Sequence, residues 1–278
     1  MVGENRRVDF SAAARQEEMN ELRQALGRFL ERSSFERFRD TVQPLFADLI
    51  SSGFAERSLL RDLECLAGTA ATGGTSSGVF FDDALGRLAF GYAPPQSPPT
   101  LNGSPGHLIG GVVSGRVVVK RYRHISRQDP AILDTSCGLE PLPDVELRAG
   151  EVLAAEAWVD VVEPYGEGLL LILRSAPVYS TCWAYDRVTL RPCALMAGSQ
   201  VLARVTDALG ILKHVGGAED AAVCLRLADH AAHAVRWEAL KTAFALDHPR
   251  AMTRLRNALG DPHPDIREAA AGVIQQWN

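Results

Sequence analysis

The sequence predicts an α+β fold, with a β-rich middle between two helical segments. Three observations carry this. Apolar residues recur near every 3.6 positions from Ala12 to Ala67, near every second position from Val79 to Tyr185, and again with helical spacing after Pro192. The implied organisation is a helical segment over 1–70, a β-rich domain over 71–195 and a helical segment over 196–278.

In the first segment the apolar positions are Leu22, Leu26 and Phe29, then Phe35, Phe38, Val42, Leu45 and Leu49, then Leu59, Leu63 and Leu66. This spacing predicts two or three helices. Ser34 and Ser58 suit helix starts, and Gly53 suits a break. The small, polar run Gly68–Gly78 reads as a flexible connector. Its Gly73-Gly74-Thr75-Ser76-Ser77-Gly78 lacks the following lysine of a phosphate-binding loop.

The middle holds short β-rich runs at Val79–Phe81, Leu88–Tyr92, His107–Val113, Arg116–Arg123, Val152–Val162, Leu169–Leu173 and Cys182–Tyr185. Many short strands with Gly and Pro between them predict a closed or sandwich-like barrel. Ser114-Gly115 between two valine-rich runs predicts a hairpin turn.

After Pro192, Val201, Leu202, Val205, Leu209 and Leu212 form one helical stripe that ends at Gly216-Gly217, and four shorter helical stretches follow. Within them Val235-Arg-Trp-Glu-Ala239 and Ile266-Arg-Glu-Ala-Ala270 lie 31 residues apart, each after a turn-like segment containing Asp229 or Asp261. That spacing is an internal repeat.

Composition narrows the function. A 46% hydrophobic content in 278 residues supports a packed core, and a net charge of −5 gives no electrostatic reason to expect nucleic acid or anionic membrane. Small molecules or proteins are the expected partners. The opening Met-Val-Gly-Glu-Asn-Arg-Arg precedes no apolar leader, and no apolar run reaches about 18 residues, so a cytoplasmic protein is expected. Cys65, Cys137, Cys182, Cys193 and Cys224 form no CxxC pair and read as reduced, mostly buried thiols.

Asp261-Pro-His-Pro-Asp-Ile-Arg267 resembles the turn and helix start of HEAT repeats. Two such units are too few to stand alone, which implies that they dock on the rest of the chain as a helical cap. The β-rich region resembles the cysteine dioxygenase group of cupins, a double-stranded β-helix barrel. The resemblance rests on Thr181-Cys-Trp-Ala-Tyr-Asp186 after Ala176-Pro-Val-Tyr179, on Tyr92-Ala-Pro-Pro-Gln96 followed by Gly110–Gly115, and on Gly150-Glu-Val. It spans roughly Val79 to Pro192.

That family holds iron with three histidines. Where it has His-x-His, this chain has Thr100-Leu-Asn102, or Leu101-Asn-Gly103 with the gap moved. The third ligand falls at or beside Trp158, and Leu173 and Ser175 stand where the family keeps a histidine that supports the ligands and its active-site tyrosine. Indole does not bind metal. The resemblance therefore implies a catalytically altered or inactive relative, without the three-histidine iron site and with no cofactor, whose barrel binds an uncharged or aromatic small molecule. Thr100, Asn102, Trp158, Leu173 and Ser175 would line the pocket.

Arg87, Arg121 and Arg123 lie near strands, where an arginine could grip a carboxylate or end in solvent. Tyr92, Tyr179 and Tyr185 could donate protons or simply pack. His107 and His124 could join Glu156 or Asp160 in a two-histidine, one-carboxylate iron site. The alternative to a binding protein is thus an enzyme, using iron on such an unusual ligand set or metal-free acid–base groups such as His107, Tyr179 or Asp160. Cys182 reads as core, and no Gly-x-Ser-x-Gly elbow is present. His214, His230, His233, His248 and His263 read as structural or exposed. A third reading is an interaction protein whose barrel is packed solid and whose C-terminal helices meet a protein partner.

Overall fold

The computed structural model describes residues 12–30, 34–58, 60, 78–94, 98–125 and 130–277. The connector at 68–77, Leu59, Leu63, Cys65, Leu66 and Gln96 lie outside them. The fold is α+β, and the chain divides into two compact units, Met1–Ile125 with Leu139–Val178 and Ser126–Gly138 with Tyr179–Asn278.

In the first unit, α1 (Ala12–Leu30) and α2 (Phe35–Ser51) precede seven strands. These are β1 (Val79–Asp83), β2 (Gly86–Tyr92), the short β3 (Thr100–Asn102), β4 (Leu108–His124), β5 (Leu139–Arg148), β6 (Val152–Ala155) and β7 (Asp160–Ser175). The Ser34 hydroxyl accepts the Arg37 N–H at 3.3 Å and caps α2. Gly53, at φ 73°, ends the turn after α2 in the left-handed conformation that glycine adopts most readily.

The antiparallel sheet runs β1-β2-β7-β4-β5, with β6 also on β4. Strand β4 pairs with β7 along one side; on the other it meets β6 through Leu108–Gly111 and β5 from Arg116 onward. The expected barrel is not closed: among the described residues no ladder joins β1 to β5. Two strands of 17 and 16 residues replace several short ones, which lengthens the sheet without bringing its edges together.

The expected hairpin at Ser114-Gly115 is also corrected. It is a bulge inside continuous β4, where the register to β7 shifts between Val112 and Ser114. Gly115 takes φ 83°, and a Cβ there would meet the Glu167 carbonyl oxygen at 2.3 Å. The glycine thus admits a local kink against β7 and does not reverse the chain.

Alternation along the strands gives the sheet two different faces. Leu88, Ile109, Val113, Leu171 and Leu173 pack against Leu22, Phe38, Val42, Phe46 and Ile50 of α1 and α2. Ala93, Val112, Val117, Val119, Leu147 and Leu170 form a separate apolar cluster on the other face. Gly111 allows the helices to approach, since a Cβ there would stand 2.1 Å from Ile50 Cδ1 and 3.1 Å from Phe46 Cε1.

The second unit opens with a hairpin of β8 (Thr181–Asp186) and β9 (Pro192–Ala197). Helical structure therefore resumes at Gln200, later than expected. The Thr181 hydroxyl and the Trp183 indole N–H both donate to the Pro130 carbonyl, at 2.9 and 3.0 Å. The Asp186 carboxylate closes the hairpin turn by accepting from Val188 and Thr189. Those hydrogen bonds, led by the Thr189 N–H, hold its carboxyl below the ordinary range.

Five helices follow: α3 (Gln200–Val215), α4 (Ala221–Leu227), α5 (His233–Leu246), α6 (His248–Asn257) and α7 (Pro264–Trp277). Helices α5 and α7 both have 14 residues and begin 31 positions apart. Their contacts match as well. Arg236 donates to the carbonyls of His230 and Ala231, and Arg267 donates to those of Asp261 and Pro262, at the same sequence offsets. Val235 and Ala239 on α5, and Ile266 and Ala270 on α7, fill equivalent buried positions. The repeat is thus a repeat of hydrogen bonding as well as of sequence.

Of the four described cysteines, all of them free thiols, Cys182 and Cys224 are buried, Cys137 is half-buried and Cys193 is exposed. No helix among the described residues is long and apolar enough to cross a membrane.

Candidate functional site

The sheet face turned away from α1 and α2 borders a cavity of about 300 Å³. Leu108 and Gly110 of β4, Leu153 of β6, and Leu170 and Ile172 of β7 form one wall. Val119, Leu147, Val162 and Pro164 form another, and Pro94, Pro98 and Leu101 lie along the border. Polar groups are few: Thr100 and Asn102 of β3, with Glu163 and Arg174 of β7. A largely apolar hollow with a few convergent polar groups is the usual form of a small-molecule site. Gly110 keeps it open, because a Cβ there would meet nothing closer than Leu108 Cδ2 at 3.9 Å.

The sequence-derived pocket residues are distributed unequally. Thr100 and Asn102 border the cavity together. Leu173 points the other way, into the helix-packed core. Ser175 is buried at the end of β7, where its hydroxyl accepts the His107 N–H at 3.0 Å and donates to the Ala176 carbonyl at 2.8 Å. Trp158 is buried in the turn between β6 and β7, with its ring centroid 4.3 Å from that of His124. Arg87 is exposed and lies 3.8 Å from Asp82, whereas Arg121 stands opposite Val162 in the β4–β7 ladder.

The histidines and carboxylates form a second group, around the turn 156–160. His107 Nδ1 accepts the Ala157 N–H at 3.0 Å, so the neutral ring carries its proton on Nε2. Phe35 and Phe38 flank the ring, each with centroids at 5.3 Å. Burial pushes its pKa down to about 4. The Asp160 carboxylate accepts the Glu156 N–H at 3.0 Å and lies 3.5 Å from Arg123. Burial, with Asp160 adding to it, holds the Glu156 carboxyl above the ordinary range.

Trp158 adopts φ 68° in this turn, a conformation uncommon for a bulky residue. Its N–H donates to the Ser104 carbonyl at 3.2 Å, which helps fix the strained backbone. Tyr179 belongs to the second unit and is half-buried. Among the described residues, no three His, Cys, Asp or Glu side chains are grouped so as to hold a metal ion.

Sequence reasoning missed Leu108, Gly110, Leu153, Ile172 and Arg174 as cavity residues. The available signal was parity along β7, where Leu170, Ile172 and Arg174 alternate with the helix-facing Leu171 and Leu173. It is obscured because the sequence pattern divides β7 between two shorter runs, Val152–Val162 and Leu169–Leu173.

No protein-family model matches the sequence, and no curated protein is detectably similar to it. Among solved structures, hydroquinone 1,2-dioxygenase PnpCD, in complex with Cd2+ and 4-hydroxybenzonitrile, matches at 17% identity and a TM-score of 0.26. The match covers 37% of this chain and 66% of that one, so the chain spans slightly less than two thirds of that protein's length. Fe(II)-HppE with the alternative substrate (S)-1-HPP matches at 11% identity and a TM-score of 0.23, over 55% of this chain and 96% of that one. At such scores the likenesses are weak and define neither the fold nor the chemistry of this chain.

Proposed function

We propose that the first unit is a small-molecule binding module of cupin ancestry, a catalytically altered or inactive relative of the cysteine dioxygenases. The HEAT-like helices of the second unit offer a surface for a protein partner. The observation that carries this reading is the cavity of about 300 Å³, walled by aliphatic side chains and bordered by Thr100 and Asn102. Among the described residues of its lining there is no imidazole or thiol. A solidly packed sheet face would leave no such hollow.

A second reading, a metal-independent acid–base enzyme, draws on the Glu156–Asp160 pair. One carboxyl held above its ordinary range beside another is a familiar arrangement for proton transfer.

A thermal-shift screen of small apolar compounds on the full chain tests the binding reading. Ligands that raise the melting temperature in wild type and fail to do so in Gly110→Leu support it, because the new side chain would fill the hollow. A screen without any stabilising compound contradicts it. Chemical conversion of a binding compound, lost in Glu156→Gln, would favour the acid–base reading.

A further inference from the structure

Helix α3 carries two stripes of apolar residues, and only one is covered. Leu209 is buried, and Leu202, Val205 and Leu212 pack beside it into the core of the second unit. The other stripe lies about 100° further round the helix. There Val201, Ile211 and Val215 are 68%, 64% and 76% exposed, with exposed Arg204 and Ala208 between them. Apolar side chains scattered singly in solvent are ordinary. These five are not scattered. Positions 201, 204, 208, 211 and 215 follow the alternating steps of three and four that make the seam of a coiled coil.

The charges on this side of α3 suit a particular partner. Arg204 and Asp207 are exposed, and neither makes an ion pair among the described residues. When two copies of such a seam pair antiparallel about a two-fold axis, the numbers of facing residues have a constant sum, and each contact occurs twice. One such register sets Val201 opposite Ile211 of the second copy and Arg204 opposite Ala208 of the second copy. The small Ala208 lets the Arg204 stem cross, so that its guanidinium meets Asp207 of the second copy. The two Asp207 carboxylates come near the axis with an Arg204 on either side, and the four charges balance. Beside the seam, Asp207, Gly210 and His214 of α3 and Glu238 of α5 line a shallow hollow against which a second helix can settle.

Resting on the reading that the helices of the second unit meet a protein, we infer that this protein is a second copy of the chain, paired antiparallel through α3. The 16 residues of α3 make a helix about 24 Å long. Its contact is smaller than the roughly 800 Å² per partner of a standard stable interface. The dimer is therefore weak and concentration-dependent, with a dissociation constant on the order of 100 µM.

Sedimentation equilibrium of the full chain from about 10 µM to about 1 mM, a range that brackets this affinity, tests the inference. Wild type passes from monomer to dimer. Ile211→Glu, which sets a charge in the apolar seam, weakens association at least about tenfold. Arg204→Asp makes the axial cluster wholly acidic and Asp207→Arg makes it wholly basic, and each weakens association at least about fivefold. The double variant Arg204→Asp with Asp207→Arg pairs opposite charges again and returns to within about threefold of wild type. Val188→Glu, at an apolar residue 90% exposed in the β8–β9 turn, changes nothing.

A chain that stays monomeric to about 1 mM overturns the inference and leaves the reading of a different protein partner standing. Dimers that survive Ile211→Glu overturn the pairing through α3. A double variant as weak as the single ones overturns the antiparallel register.

Discussion

Gly110 and Gly111 are consecutive on β4 and face opposite environments. A Cβ on Gly110 would be 3.9 Å from its nearest neighbour, while one on Gly111 would stand 2.1 Å from Ile50 Cδ1. Gly111→Ala is expected to destabilise the protein by about 1–3 kcal/mol, the usual cost of overpacking. Gly110→Ala should change stability by less than about 0.5 kcal/mol. Denaturant unfolding of the two variants checks this, and equal losses would contradict the two-faced sheet.

The pH dependence of stability follows from His107. Its pKa in the folded protein, about 4, lies below the ordinary 6.5, so the unfolded chain binds the proton more readily. This contribution is complete above pH 6.5 and is lost as the pH falls from 6.5 toward 4. It amounts to at most about 3 kcal/mol, and nearer 2 after solvent screening. His107→Asn keeps an acceptor for the Ala157 N–H and removes the titration. The difference between its unfolding free energies at pH 7 and pH 4.5 should be smaller than that of wild type.

How much of this was legible in the sequence depends on the element. Helical spacing found α2, because Phe38, Val42 and Leu49 bury one face against a sheet. Spacing also found the 31-residue repeat, whose arginines make matching bonds. Strand number was not legible: β4 is long only because the bulge at Ser114-Gly115 keeps it paired with β7, and a bulge and a turn share the same glycine signal. Of the site residues expected from the sequence, Thr100 and Asn102 both border the cavity. Leu173 was assigned to a pocket although it faces the helices, since which face of a strand a helix covers depends on distant packing. Strand β5, with its apolar residues interrupted by Glu140, Asp144 and Glu146, gave little periodic signal.

Asp261 joins the two copies of the helical repeat. Arg236 donates to both of its carboxylate oxygens, at 2.9 and 2.7 Å, and the two side chains are only 11% and 10% exposed. Burial raises the Asp261 carboxyl, but the Arg236 hydrogen bond, the His263 N–H and the nearby positive charge outweigh it and hold the group below its ordinary range. Asp261→Ala would leave Arg236 buried without its carboxylate and should cost about 3 kcal/mol. The wild-type contribution is present above the ordinary aspartate pKa and is lost as the pH falls below it toward the folded value. A destabilisation below about 0.5 kcal/mol, the scatter of surface substitutions, would show that the pair does not hold the repeats together.

The turn at Trp158 stores strain and offsets it by packing. Trp158→Gly relieves the left-handed backbone, a gain of about 1 kcal/mol, and loses the buried ring against His124, a loss of about 3–5 kcal/mol. The net expectation is destabilisation by about 2–4 kcal/mol. A stabilised variant in thermal unfolding would mean that the ring does no packing there.

The central claim is that the cavity face of the sheet, and not the helix-packed face, takes a small molecule. Methyl NMR of the full chain, titrated with octan-1-ol, separates the two faces. The methyl signals of Leu108, Leu153, Leu170 and Ile172 should move in a saturable way, while those of Ile109, Leu171 and Leu173 remain in place. Shifts confined to the second group, or no saturable shift in either, would contradict the account.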